Sequence, residues 1–129
     1  MSIENPSPSR IHDYPTFVQI DPFPRLWAAL RLGDDDLRRL EAAVMASPTR
    51  NPVIAGTEGL RKVRLADRGA GRGKSGGYRV FYVYVPERGK VLLMGIIDKG
   101  TQPSLNRAER NAFAQVIRRL MRDFDREIG

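Results

Sequence analysis

Residues 60–85 read LRKVRLADRGAGRGKSGGYRVFYVYV, and this stretch decides how the rest of the chain is read. Two β-type segments flank a connection so rich in glycine and cation that neither a helix nor a packed core is expected there. Residues 60–79 hold seven Lys or Arg (Arg61, Lys62, Arg64, Arg68, Arg72, Lys74 and Arg79) against the single acid Asp67, a net charge of +6 in a chain whose total is +7. Charge so concentrated, with almost no acid to neutralise it, is what a surface that meets a polyanion requires. Along the first segment, residues 60–65, the two-residue period puts Lys62 and Arg64 on one face and Arg61, Val63 and Leu65 on the other. The second, residues 78–85, is aromatic and β-branched and runs into the turn signal Pro86-Glu87-Arg88-Gly89. The apolar residues 91–97 follow, so three consecutive antiparallel strands are expected.

Working outward toward the N-terminus, residues 49–59 carry Pro52, Gly56 and Gly59 and read as a loop, within which residues 51–54 pack locally. Before it, Asp34 offers an N-cap carboxylate, with Asp35 and Asp36 near the positive end of the helix dipole. Leu37, Leu40 and Val44 form that helix's apolar stripe, and Ser47-Pro48 closes it. Phe23, Leu26, Trp27 and Leu30 recur at the spacing of one helical face, with Pro24 in a first turn and Gly33 as the stop. Residues 16–20, TFVQI, have the composition of an edge strand. Residues 1–15 contain Pro6, Pro8 and Pro15 among polar neighbours and read as a flexible tail, leaving residues 16–129 as one domain.

Toward the C-terminus, Asp98-Lys99-Gly100-Thr101 leaves the sheet. Asn106 with Glu109 three residues on marks the start of a long helix. Phe113, Val116, Ile117, Leu120, Phe124 and Ile128 make its apolar face. The expected fold class is α+β: a twisted, mainly antiparallel sheet of about four strands, with N-terminal helices and a long C-terminal helix.

Composition narrows the chemistry. At 129 residues, with 41% hydrophobic and 29% charged residues, the balance is globular and sufficient for one core. With no cysteine and one histidine, His12, disulfides, thiolate nucleophiles and Cys/His zinc sites are excluded, and neither a metal nor another cofactor is expected. The N-terminus has no apolar signal region and the longest apolar runs are too short to span a bilayer, which points to the cytoplasm.

Gly73-Lys74-Ser75 matches the end of a nucleotide-binding phosphate loop, but Arg68 stands at the leading glycine position. The segment also runs into a strand, whereas such a loop opens a helix. Arg68, Arg72 and Lys74 read equally well as a solvated loop or as contacts to RNA phosphates. Lys62, Arg64 and Arg79 are different, because three cations converging on adjacent strands repel one another unless an anion lies between them. Tyr78, Tyr82 and Tyr84 suit a core or rim more often than base stacking, although Tyr82 is carried as a candidate RNA contact.

LRKVRL, the basic glycine-rich connection, KSGGYRVFYVYV, the hairpin, the apolar strand and Asp98-Lys99 together resemble the RelE/ParE superfamily of bacterial toxins, in particular the HigB-like branch of type II toxin–antitoxin modules. The resemblance runs from about residue 17 to the final helix and implies a RelE-like fold. It further implies a toxin that enters the ribosome and cleaves mRNA as an endoribonuclease (mRNA interferase), partnered by a cognate antitoxin. By the same resemblance, the catalytic positions fall on Lys62, Arg64 and Arg79, with a fourth basic position near Lys99. From the charge and aromatic content of the central stretch itself, the candidate RNA or ribosome contacts are Arg61, Arg68, Arg72, Lys74 and Tyr82. The chain departs from RelE-type members at its end, where no tyrosine follows Tyr84.

A metal-free mechanism suits these residues. The RNA 2′-hydroxyl attacks the neighbouring phosphate, so the protein has only to orient the strand, accept a proton and stabilise negative charge. Arg79 has the planar fork for bidentate phosphate binding, Lys62 is the candidate general base, and Arg64 stabilises the phosphorane-like transition state. A gyrase-inhibiting toxin of the ParE branch and a non-catalytic RNA-binding module are the competing classes. Retention of all three cations favours the ribonuclease over the gyrase inhibitor.

Overall fold

In a computed structural model of the chain, the described residues are 14–67 and 77–128. Four strands, β1 (Thr16–Gln19), β2 (Arg61–Leu65), β3 (Tyr78–Val85) and β4 (Lys90–Asp98), form one sheet in the order β1-β4-β3-β2. The pairs β2–β3 and β3–β4 are antiparallel, as the hairpin signals require, whereas β1 lies parallel to β4, so the sheet is mixed. Three helices complete the α+β fold: α1 (Phe23–Ala29), α2 (Asp34–Ala46) and the long α3 (Arg107–Ile128).

Local chemistry sets most element boundaries. At the β3–β4 turn, Pro86–Arg88 forms a single 3-10 turn and Gly89 takes the left-handed conformation, φ 61°, that reverses the chain. Asn106 Oδ1 accepts from the Glu109 N–H and Glu109 Oε1 from the Asn106 N–H, both at 2.8 Å, a reciprocal capping box at the start of α3. The start of α2 differs from expectation: Gly33, not Asp34, occupies the cap, its backbone extended at φ −119°, ψ −164°. Its N–H donates to Asp36 Oδ2 at 2.9 Å, so the acid that closes the helix end lies inside the first turn. This bond, with Arg39 beside it, holds the Asp36 carboxyl below its ordinary pKa.

Alternation along the strands builds two separate apolar layers. On one face Val63, Leu65, Tyr78, Val80, Tyr82, Val91 and Leu93 pack against Phe23 and Trp27 of α1 and Leu40 and Val44 of α2. On the other, Leu60, Phe81, Val83, Val85, Leu92 and Met94 pack against Ile117, with Phe113, Val116, Leu120 and Phe124 of α3 around them. A register shift between Phe81 and Tyr82 pairs Phe81 with Gly95 and Tyr82 with Leu93. Met94 is therefore an extra residue, the signature of a β-bulge. At Gly95 α3 packs tightly on the sheet, since a Cβ there would stand 2.8 Å from the Phe113 ring. The far end of α3 is held by Arg88, whose Nη2 donates to Phe124 O at 2.8 Å and whose guanidinium lies 6.0 Å from the Phe124 ring centre. Pro15, the last residue of the tail as read from the sequence, is buried.

Candidate anion-binding site

The cations of β2 and β3 are placed by the same alternation that builds the core. Val63 and Leu65 go into the layer under α1 and α2, while Leu60 goes under α3, so Lys62 and Arg64 project on the α3 side. Arg79 shares that side with Phe81 and Val83, and the ladder sets it directly opposite Arg64 on β2 and Ile97 on β4. Like charges directly opposite across a ladder are unfavourable. Arg64 is exposed, which lets solvent moderate the repulsion, whereas Lys62 and Arg79 are half-buried.

Lys62 and Arg79 line one hollow of about 180 Å³, together with Ile54, Phe81, Pro103, Ser104, Leu105 and Arg110. None of these lining residues is an acid. Arg79 Nε is buried without a hydrogen-bond partner among the described residues. Burying a guanidinium N–H without an acceptor costs about 1–3 kcal/mol. A phosphate oxygen in the hollow would supply the acceptor and neutralise the flanking charge. Phe81 and Leu105 also wall a neighbouring apolar cleft of about 390 Å³ between α1, β4 and α3, lined by Pro22, Leu26, Met94, Ile97, Phe113 and Val116.

The other candidates are distributed differently. Lys99 directly follows β4 and its N–H donates to Gly77 O at 3.1 Å, which places its backbone beside the start of β3 but leaves it off the lining of the hollow. Arg61 points away from Lys62: its Nη1 donates to Thr49 O at 2.8 Å and Asn51 O at 2.6 Å, so it holds the loop before β2. Tyr82 corrects the sequence reading most clearly. It is 0% exposed, in the layer under α1 and α2, on the face opposite Lys62 and Arg79. Its hydroxyl donates to Pro48 O and accepts from Asn51 Nδ2, each at 2.9 Å, and burial pushes its pKa up. An aromatic ring so enclosed has no face to offer a base. Arg68, Arg72 and Lys74 lie outside the described residues, and of the phosphate-loop comparison the structure retains the strand Tyr78–Val85 that follows it.

Sequence reasoning missed Arg110 and Ser104, because neither belongs to the basic stretch. The available signal was positional: Arg107 and Arg110 are cations in the first turns of α3, where the helix dipole favours acids. Among the described residues there is no group of three or more His, Cys, Asp or Glu able to hold a metal ion, and no helix long and apolar enough to cross a membrane.

No family model matches this chain. Among solved structures, it is similar to an arginine-substituted mutant of the E. coli toxin RelE in the free state, with a TM-score of 0.47 and 18% identity over 70% of this chain and 88% of that one. The intact E. coli RelBE toxin–antitoxin complex gives a TM-score of 0.47 and 20% identity over 65% of this chain and 95% of that chain. The isolated E. coli RelE toxin gives 0.46 and 19% over 82% and 98%. Likeness at these values assigns neither a family nor an activity.

Proposed function

We propose that this chain is a RelE-type toxin of a type II toxin–antitoxin module, of the HigB-like branch, that cleaves mRNA on the ribosome without a metal ion. The observation that carries the reading is the unpartnered, buried Arg79 Nε beside Lys62, in a hollow with no acid in its lining. A backbone phosphate seated there is held by Arg79 and faced by Arg64 from the adjoining strand. The ribose 2′-oxygen attacks phosphorus while the bond to the 5′-oxygen breaks. Lys62 is the base that takes the 2′-hydroxyl proton, and that proton is delivered to the leaving 5′-oxygen. The products are a 2′,3′-cyclic phosphate and a 5′-hydroxyl. Lys99 is the fourth cation of this reading, and the cognate antitoxin is the partner that restrains the toxin.

The test is end-group analysis of mRNA on programmed ribosomes. Cyclic phosphate ends that persist when metal is chelated, with ribosomes intact, support the reading. Gyrase-trapped DNA breaks with unchanged mRNA reject it in favour of the ParE-type class. A non-catalytic RNA-binding module is the second reading, favoured by two observations: the lining of the hollow contains neither an acid nor a histidine, and no tyrosine follows Tyr84. RNA association without any cleavage would establish it.

A further inference from the structure

We propose that Arg110, carried by α3 rather than by the sheet, is a third phosphate-contacting residue that closes the site from the helix side. This rests on the phosphate site of the preceding section and adds to it a residue from outside the basic stretch.

Three observations carry the inference. First, Arg110 lines the same hollow as Lys62 and Arg79, so cations from β2, β3 and α3 surround one small space with no carboxylate in its wall. Second, Arg110 stands at the fourth residue of α3, at the positive end of the helix dipole, where a cation is disfavoured. The adjacent acid does not compensate it, because Glu109 accepts from the Asn106 N–H and from Gln102 Nε2. An arginine that repels both its own helix end and two neighbouring cations gains from a ligand of opposite charge. Third, the side chain is already aimed: Nη1 donates to Leu105 O at 2.9 Å, and Leu105 is 7% exposed and packed in the α3 layer. A guanidinium anchored through one nitrogen to a rigid carbonyl keeps further N–H groups in a fixed plane for an oxyanion. Three cations around one pocket also favour the more highly charged forms of phosphate.

The experiment is titration calorimetry of the full chain with inorganic phosphate at low ionic strength. Arg110→Gln is expected to weaken binding about tenfold, the loss of one charge-assisted contact. Arg118→Gln serves as the control, since Arg118 is on the same helix but pairs with Glu58 at 3.1 Å and lies off the hollow's lining. Its phosphate affinity is expected to stay within twofold of the parent. Equal losses in the two variants, or none in Arg110→Gln, overturn the proposal. Should circular dichroism show Arg110→Gln misfolded, Arg110→Lys decides: lysine keeps the charge but loses the planar fork that spans Leu105 O and phosphate in fixed geometry, so an intermediate loss supports the proposal and full affinity overturns it. Ribosomal mRNA cleavage separates the two readings. Normal cleavage by Arg110→Gln sinks the role of Arg110 alone, whereas Arg110-dependent phosphate binding in a parent chain that cleaves no RNA sinks the nuclease alone.

Discussion

The two faces of the sheet are built from the same strands by the same alternation, yet they end in different states. Under α1 and α2 the layer is closed: Phe23, Leu40, Val44, Val80, Tyr82, Val91 and Leu93 are each 0% exposed, and the one buried hydroxyl among them has both a donor and an acceptor partner. Under α3 the layer is interrupted by an apolar cleft and a basic hollow, and a buried guanidinium nitrogen lacks a partner among the described residues. A closed, hydrogen-bonded layer supplies stability, while a buried donor without an acceptor is stabilised by a ligand that provides one. On the proposed reading, one face supplies stability and the other recognition.

The sharpest way to break that assignment is to empty the closed face. Phe23→Ala removes a fully buried ring that stacks on Trp27 at 5.4 Å between centroids and should cost about 3–5 kcal/mol in denaturant unfolding. Phosphate affinity of the remaining folded fraction should not change, and a parallel loss of affinity would show the faces to be coupled. On the open face, Arg79→Ala should lower mRNA cleavage and toxicity about a hundredfold to a thousandfold. The melting temperature should hold or rise slightly, because the repulsion with Arg64 is relieved. A melting temperature several degrees lower would instead give Arg79 a structural role.

Tyr82→Phe should cost about 1–3 kcal/mol by leaving Pro48 O and Asn51 without their partner, with cleavage unaffected. Its pH signature has a definite sign. The folded-state pKa is raised above the ordinary value of 10.0, so the contribution is fully present below pH 10.0 and is lost as pH rises through the higher folded value. Alkaline melts of parent and Phe variant should converge. The smallest expected effect is at the start of α2, where Asp36→Asn should cost about 0.5–1 kcal/mol. Here the folded pKa is depressed, so the stabilisation is present above 3.8 and disappears as pH falls through the lower folded value. Acid melts in which parent and Asn variant stay parallel below that point would remove Asp36 from the helix end.

The sequence by itself determined the elements whose causes are local. The alternation of residues 60–65, the aromatic and β-branched run 78–85 and the apolar run 91–97 marked β2, β3 and β4, the Pro-Glu-Arg-Gly turn marked the β3–β4 hairpin, and the Asn106–Glu109 pair marked the first turn of α3, because each depends on residues within a few positions of one another. It also placed Lys62, Arg64 and Arg79 on neighbouring strands. Tertiary structure decided what depends on long-range register and packing: that β1 joins the sheet parallel to β4, and that α2 and α3 cover opposite faces. Two residues show the limit most clearly. Tyr82, three positions after Arg79, falls on the opposite face, so the same strand offers a cation to the open side and an enclosed ring to the closed one. Arg110, 31 positions away from Arg79 in the sequence, enters the same hollow because the Leu105 anchor and the seating of Phe113 over Gly95 bring α3 down beside β3 and β4. No local pattern encodes that approach, since it follows from the shape of two surfaces that meet only when the sheet is assembled.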